Sequence, residues 1–181
     1  MTNLEVFNIM RQIVLTVTGV PQVILANPNA PAPSGEYASI KPKQSITQRG
    51  QANIYRKTSA TPQSQDEEVR AQIIAECSVN FYRGVSARDR AERLLQCNKR
   101  SDISTLLFQN GLGWNRAGPV NDLDALQSHN WEQRAQISVF VMYETRDEIT
   151  INSIESAEWE IQDEDGTVIS TGEIDSSNPP S

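Results

Sequence analysis

The sequence has few of the residues on which catalysis and metal binding most often depend. It contains one histidine, His129, and two cysteines, Cys77 and Cys97, among 181 residues. His129 lies in a polar stretch, and no Gly-x-Ser-x-Gly motif, activated cysteine sequence or phosphate-binding Gly-x-x-x-x-Gly-Lys-Ser/Thr loop is present. The cysteines have no CxxC spacing, so we expect reduced packing residues rather than a disulfide framework or a zinc site. The sequence therefore predicts no enzyme, no cofactor and no metal, with His129 exposed or structural.

Long hydrophobic runs and an excess of positive charge are also missing. No stretch of about 18 apolar residues exists, which argues against a membrane span, and polar residues interrupt the segment Met1 to Val20 too often for a signal peptide. The 23 acidic and 16 basic residues give a net charge of −7 and a pI near 4.8, the opposite of what is typical of nucleic-acid binders. We therefore expect a cytoplasmic protein with no membrane partner and no tightly held nucleic acid.

Hydrophobic periodicity predicts the helices. Apolar residues recur at three- and four-residue spacing near the N-terminus, and Gly19 follows them in the position that a helix C-cap favours. Ser86 and Asp89 have the spacing of a capping box at the start of a second helix. The predicted helices cover residues 4–18, about 86–98 and 102–109.

Alternation of apolar and polar residues predicts the strands, of which Val69 to Tyr82 is the clearest and Trp131 to Tyr143 is expected to be a long central one. Asp165-Gly166 is a signal for a type I′ hairpin turn. Glycines and a proline between residues 112 and 122 predict an irregular loop that carries Trp114. The predicted strands cover residues 23–25, 37–40, 69–82, 131–143, 149–154, 157–162 and 167–171.

This order of elements predicts an α+β fold in which two main helices pack on one face of a largely antiparallel sheet. A hydrophobic content of 38% is sufficient for one core, so residues 1–175 are expected to form a single domain. Residues 41–66 are predicted to form an extended basic arm or hairpin outside that core. The polar, proline-rich segment 176–181 is predicted to be a disordered tail.

Charge is distributed unevenly along the chain. Five basic and no acidic residues lie between Tyr37 and Gln65, whereas eleven acidic residues and one basic residue follow from Glu144 onward. Opposite charges on two segments suit a head-to-tail ring, but the arm could also fold onto the acidic hairpin of its own chain, or both segments could be solvated faces. The candidate interface residues of these segments are Lys41, Lys43, Arg49, Arg56, Lys57, Asp163, Glu164 and Asp165. The three consecutive carboxylates could hold a divalent cation, but the EF-hand spacing is absent and a solvated hairpin tip is the favoured interpretation.

The three tryptophans fall into two groups. Trp131 and Trp159 lie in predicted strands and are expected to pack in the core or at a sheet edge. Trp114 lies in the predicted glycine-rich loop and completes the set of candidate interface residues, because Trp is enriched at binding hot spots. A lid that packs on its own chain is the alternative role for Trp114.

Four short segments of the sequence form a pattern when they are taken together. They are Gly19-Val20-Pro21 with Val23-Ile24, Gly35-x-Tyr37-Ala38, the alternating strand followed by Gly84 and the Ala87, Ala91 and Leu94 helix, and Trp131-Glu132-Gln133-Arg134-Ala135 before the strand Ile137 to Tyr143. This pattern resembles the tail-terminator or neck-terminator family of tailed phages, and the resemblance covers about residues 4 to 160. The basic arm and the hairpin at Asp163 to Asp165 have no counterpart in the family pattern.

The resemblance implies a non-enzymatic structural protein of the virion, assembled in the host cytoplasm. Such a protein forms a homo-hexameric ring, caps the tail tube and joins it to the neck or head-tail connector protein, with the sheath as a further partner and DNA only passing through the lumen. The acidic net charge suits a channel through which DNA slides. The alternative is a monomeric binding or adaptor module that uses Trp114 and the basic arm to hold an acidic partner, and a hydrolase built around His129 is the least favoured hypothesis.

Overall fold

The protein was analysed as a computed structural model, which describes residues 1–27, 29, 31–60, 64–84, 86–127, 129–152 and 156–175. The predicted tail 176–181 lies outside the described residues. The helices are α1 (Asn3–Thr18), α2 (Ala87–Leu95) and α3 (Ser101–Gln109), with a 3₁₀ helix at Cys97–Lys99. The strands are β1 (Val23–Leu25), β2 (Tyr37–Gln48), β3 (Asn53–Thr58), β4 (Ser64–Tyr82), β5 (Leu112–Ala117), β6 (Asn121–Asp122), β7 (Ala125–Gln127), β8 (Asn130–Glu132), β9 (Arg134–Asn152), β10 (Ser156–Gln162) and β11 (Val168–Asp175).

One seven-stranded sheet organises the chain. Its strand order is β1-β2-β4-β9-β5, with β3 also paired to β4 and β6 also paired to β9. The pair β1–β2 is parallel, whereas β2–β4, β3–β4, β5–β9 and β6–β9 are antiparallel. The strand pairs β7–β8 and β10–β11 form two separate two-stranded hairpins. The predicted α+β fold with a largely antiparallel sheet is confirmed.

Helix α1 follows its hydrophobic periodicity closely. Thr2 and Glu5 form a capping box, in which Thr2 Oγ1 accepts a hydrogen bond from Glu5 N and Glu5 Oε2 accepts one from Thr2 N. The helix ends where Gly19 adopts a left-handed conformation with φ of 65°. The predicted C-cap is therefore confirmed. The buried face of the helix comprises Val6, Phe7, Met10, Ile13, Val14, Val17 and Thr18.

The core lies between the helices and one face of the sheet. Alternate residues of the two longest strands point into it, and α2 and α3 contribute apolar side chains from the same side. On the opposite face the strands carry polar groups, such as Ser138, which donates to Glu76 Oε1 at 2.6 Å, and Gln136, which donates to Ser78 Oγ at 3.0 Å. The core residues that β4, β9, α2 and α3 contribute are Ala75, Cys77, Val79, Phe81, Ala135, Ile137, Val139, Val141, Ala87, Ala91, Leu94, Ile103 and Leu107.

The predicted irregular loop around Trp114 is wrong, because Leu112–Ala117 is strand β5. The glycines that suggested a loop have other roles here. Gly111 takes a φ of 67° in the turn that enters the strand. A Cβ at Gly113 would come within 2.9 Å of Met142 Cε, so glycine allows that side chain to cross the strand.

Two further sequence predictions differ from the structure. Ser86 makes no side-chain capping bond at the start of α2, so the predicted capping box there is wrong. Strand β9 continues through the charged run 146–148, where the sequence predicted an interruption. These residues are exposed, and a strand tolerates consecutive charged side chains where both of its faces meet solvent.

The chain divides into two compact units. Unit 1 comprises Met1–Gln51 and Ala71–Thr145, and unit 2 comprises Ala52–Arg70 and Arg146–Ser181. Unit 1 contains the three helices and the core, with 12 basic and 10 acidic residues. Unit 2 contains β3, the N-terminal part of β4, the C-terminal part of β9 and the β10–β11 hairpin, with 4 basic and 13 acidic residues. No described helix is long and apolar enough to cross a membrane.

Candidate interaction surfaces

The two cysteines and the histidine lie in different surroundings. Burial raises the pKa of Cys77 and of Cys97 to about 12, so both thiols stay protonated and unreactive at neutral pH. His129 is exposed. Within the described ranges, no three His, Cys, Asp or Glu side chains are grouped so that they could hold a metal ion.

The predicted basic arm 41–66 covers most of β2, all of β3 and the first residues of β4, and both β2 and β3 pair with β4. Exposed Lys41 lies on β2. Arg49 is the first residue after the end of β2, and it donates to Met142 Sδ at 3.5 Å. Lys43 also lies on β2, but its side chain is outside the described part of the chain. Lys41 and Arg49 belong to unit 1, whereas Arg56 and Lys57 belong to unit 2.

In unit 2 the cations of the arm meet acidic residues of the neighbouring strand. Arg56 Nε lies 3.1 Å from Glu67 Oε2, and Lys57 is the cross-strand partner of Asp66. Because β4 begins with a carboxylate run, the positive charge of β3 is offset within its own hairpin. The change from basic to acidic residues at position 66 was the sequence signal for this pairing. It was interpreted only as the end of the arm.

The same region of unit 2 holds a network around Glu68. Arg70 donates to both oxygens of Glu68, at 2.8 Å and 2.9 Å, and Arg146 Nε lies 4.0 Å from it. The hydrogen bonds from Arg70 lower the pKa of Glu68 below its ordinary value. The Arg70 guanidinium also lies 4.9 Å from the centre of the Tyr55 ring. Sequence analysis did not identify this network, because its members come from three strands.

Trp114 packs on its own chain. It lies on β5, half-buried against the hydrophobic core and opposite Val141 of β9. This placement agrees with the intramolecular alternative, although Trp114 is part of a strand and not of a loop. A role for Trp114 in an interface stays a prediction.

The acidic tip at 163–165 closes a hairpin, as the Asp-Gly signal predicted. The turn is longer than a two-residue type I′ turn: Asp163 and Thr167 form its closing backbone pair, and Gly166 has a φ of 80°. Asp163 Oδ1 accepts hydrogen bonds from Asp165 N at 3.0 Å and Thr167 N at 2.8 Å, which fixes the turn. Glu164 and Asp165 are exposed.

Sequence analysis missed an exposed apolar surface on the β7–β8 hairpin. Leu126 and Trp131 are direct cross-strand partners and are 59% and 72% exposed. The expected packing of Trp131 in the core or at a sheet edge is therefore wrong. An exposed pair of large apolar side chains is typical of a surface that binds another protein.

Next to this hairpin, ion pairs and aromatic rings fix the backbone between β8 and β9. Glu132 accepts from Arg134 at 2.7 Å and from Arg83 at 3.3 Å. Burial raises the pKa of Glu132, but these two hydrogen bonds outweigh it, and the pKa lies below its ordinary value. Tyr37 and Tyr82 stack at 4.7 Å, with the Arg83 guanidinium 5.8 Å from the Tyr37 ring centre and that of Arg134 5.7 Å from the Tyr82 ring centre.

The β10–β11 hairpin of unit 2 is exposed along most of its described length. A Cβ at Gly172 would lie 2.5 Å from atoms of the Trp159 indole, so the ring lies directly over this glycine. Ile161, two residues further along the same face, is 52% exposed. The opposite face carries Glu158 directly across from Glu173.

Helix α2, the 3₁₀ helix after it and the residues next to them are rich in basic side chains. Residues 83–100 include six basic and two acidic residues. Arg90 pairs with Glu36, and Arg100 with Asp102. Arg93 and Lys99 are exposed, and no ion pair is recorded for either with the described residues.

Comparison with known proteins identifies the family. A family model described as phage neck terminator protein matches residues 4–167 of the 181-residue chain. None of the curated proteins matches the chain. The resemblance drawn from the segments around Gly19, Gly84 and Trp131 is confirmed by this match. The chain belongs to the phage neck terminator protein family, and it is a structural protein of the phage neck and hence of the virion.

Proposed function

We propose that this protein forms a ring that terminates the tail tube and joins it to the head-neck connector. The observation that carries the proposal, beside the family, is that each unit presents a different tryptophan-bearing hairpin to solvent. Trp131 of unit 1 is 72% exposed and Trp159 of unit 2 is 42% exposed. Two unlike binding surfaces on one chain support head-to-tail association, which yields a ring when the rotation closes.

The proposed partners are further copies of the chain in a homo-hexamer, the tail tube protein, the neck or head-tail connector protein and, in a contractile tail, the sheath. Assembly would take place in the host cytoplasm. DNA would only pass through the lumen, and the net charge of −7 supports this, because an acidic wall repels phosphate rather than binding it. No enzymatic activity is part of the proposal.

The candidate interface residues contribute unequally to this proposal. Among the described residues, no carboxylate partner is recorded for Lys41 or Arg49, so these cations are available to another subunit. Arg56 already pairs with Glu67, so a carboxylate of another subunit would add less binding energy there. The full proposed set remains Lys41, Lys43, Arg49, Arg56, Lys57, Trp114, Asp163, Glu164 and Asp165.

Light scattering over a concentration series tests the ring directly. We expect the molar mass to rise toward six subunits, either for the protein alone or after purified tail tubes are added. Electron microscopy of tubes mixed with the protein should show added density at one end only. A monomer that stays monomeric with and without tubes, and leaves both tube ends bare, would contradict the proposal.

A monomeric adaptor is the second candidate, and exposed Trp131 is the observation that favours it. One projecting aromatic side chain can anchor a single partner without self-association. In that case the same concentration series would give the mass of one subunit throughout. Neck or tail proteins would bind with one-to-one stoichiometry, and Trp131→Ala would weaken that binding.

A further inference from the structure

The two faces of the β10–β11 hairpin differ in chemistry. Residues directly opposite each other on antiparallel strands share a face, so Glu158 and Glu173 lie together with Glu160 on one side. Their side chains are exposed, and residues 156–175 contain no lysine or arginine. One face of the hairpin is therefore a surface of a single charge sign.

The acidic face is unfavourable for the hairpin on its own. Like charges placed directly opposite each other destabilise a strand pair, and a two-stranded hairpin is only marginally stable in water. The other face is held together by Trp159, whose indole lies over Gly172. The Glu158–Glu173 pair destabilises the hairpin through charge repulsion, and a cationic partner would relieve that repulsion.

A surface of matching charge exists on α2 and the 3₁₀ helix. Arg93, Lys99 and Arg100 line an open groove beside Val17, with Asp89 and Glu92 also on its wall. Arg93 and Lys99 are exposed and have no ion pair recorded with the described residues. The groove can therefore accept carboxylates without breaking pairs that these two residues already make.

We propose that the acidic face of the β10–β11 hairpin of one copy binds the α2 groove of a second copy. The partner is a second copy because one chain carries both members of the complementary pair. Salt screens exposed charges that lie more than about 8 to 10 Å apart, so the two surfaces attract each other only in close contact. The inference rests on the proposed ring. It deepens that proposal, because hairpin and groove are different surfaces and the contact repeats head to tail around the ring.

Charge reversal in two matched variants tests the contact. The hairpin variant is Glu158→Lys, Glu160→Lys and Glu173→Lys, and the groove variant is Arg93→Glu and Lys99→Glu; all five positions are exposed, so folding should persist and is checked by circular dichroism. Each variant alone should raise the concentration for half-assembly about tenfold or more. A mixture of the two in equal amounts should assemble again, because in an alternating ring a positive hairpin meets a negative groove at half of the contacts and the native pair forms at the other half.

The control for net charge is Asp147→Lys and Glu148→Lys, which changes the total charge as much as the groove variant does, in the opposite direction, without touching the acidic face. We expect near-wild-type assembly from this control. If the wild type assembles but either reversal variant assembles equally well, or if the mixture fails to recover, the hairpin–groove contact is wrong and the ring stands. If the wild type itself never assembles, with or without tail tubes, the ring and this contact are both wrong.

Discussion

Replacing Gly172 by alanine should weaken the β10–β11 hairpin, although alanine is the better strand residue. In a strand, alanine is favoured over glycine by roughly 0.5–1 kcal/mol. The Trp159 indole opposes this gain, since two of its carbon atoms lie 2.5 Å from the position of the new Cβ. The ring would have to leave its place over residue 172.

The size and sign of the effect follow from these two terms. Forcing extra atoms into an occupied space costs about 1–3 kcal/mol, so Gly172→Ala should lose up to about 2.5 kcal/mol of local stability after the strand preference is subtracted. In a Trp159→Ala background the clash is absent. There the same Gly172→Ala change should stabilise the hairpin by about 0.5–1 kcal/mol.

Amide hydrogen exchange across residues 156–175 measures this local stability in all four variants of the cycle. Gly35→Ala is the matched control, because a Cβ there meets nothing within 4 Å and the backbone has no positive φ. It should leave exchange in the hairpin unchanged. If Gly172→Ala has the same effect with and without Trp159, the indole does not lie over Gly172 and the reasoning is refuted.

Three further predictions concern the core, the ion pairs and the thiols. Phe81→Ala should lower the free energy of unfolding by about 3–5 kcal/mol, whereas Phe108→Ala, at a side chain 84% exposed, should change it by less than about 0.5 kcal/mol in denaturant titrations. Glu132→Gln should lower the Tm at pH 7 and have less effect near pH 3. The pKa of Glu132 is lower in the folded than in the unfolded protein, so its carboxylate stabilises the fold above the unfolded-state pKa, and this stabilisation is lost as the pH falls through the folded-state pKa. An equal loss of Tm at both pH values would contradict this. Cys77 and Cys97 should react with a thiol reagent at pH 7 only after unfolding, and rapid labelling of the native protein would show that one of them is accessible.

Local periodicity was sufficient to predict much of the fold. The apolar stripe of α1 is confirmed by the structure. The alternation predicted from Val69 to Tyr82 is confirmed from Ala75 to Phe81, where the apolar residues are buried, whereas Val69, Ala71 and Ile73 are only half-buried. Gly19 was predictable as a C-cap because a left-handed residue after a helix favours glycine. The family could be suspected from short segments because these segments mark positions where the fold requires particular residues.

The alternation from Trp131 to Tyr143 shows where such reasoning fails. Trp131 is an odd-numbered residue, as are the buried residues of β9, so alternation predicts that it is buried as well. The strand is interrupted between β8 and β9, however, and β8 pairs with β7. Its neighbour Arg134 donates its backbone N–H to Asp124 Oδ1 at 2.8 Å, a contact across the hairpin that periodicity does not encode. The exposed tryptophan could not be predicted, because exposure depends on which strand comes alongside.

The sequence by itself determined the helices, the face that each long strand buries, the acidic balance and the absence of recognised catalytic motifs, because all of these are local or additive properties of the residues. The tertiary structure alone decided which charges meet. Strand register places Arg56 beside Glu67 and sets Glu158 opposite Glu173, and the end of α2 leaves Arg93 and Lys99 without a recorded ion pair among the described residues. Electrostatic energy depends on the distance between groups, and for residues far apart in the chain only the folded structure fixes that distance.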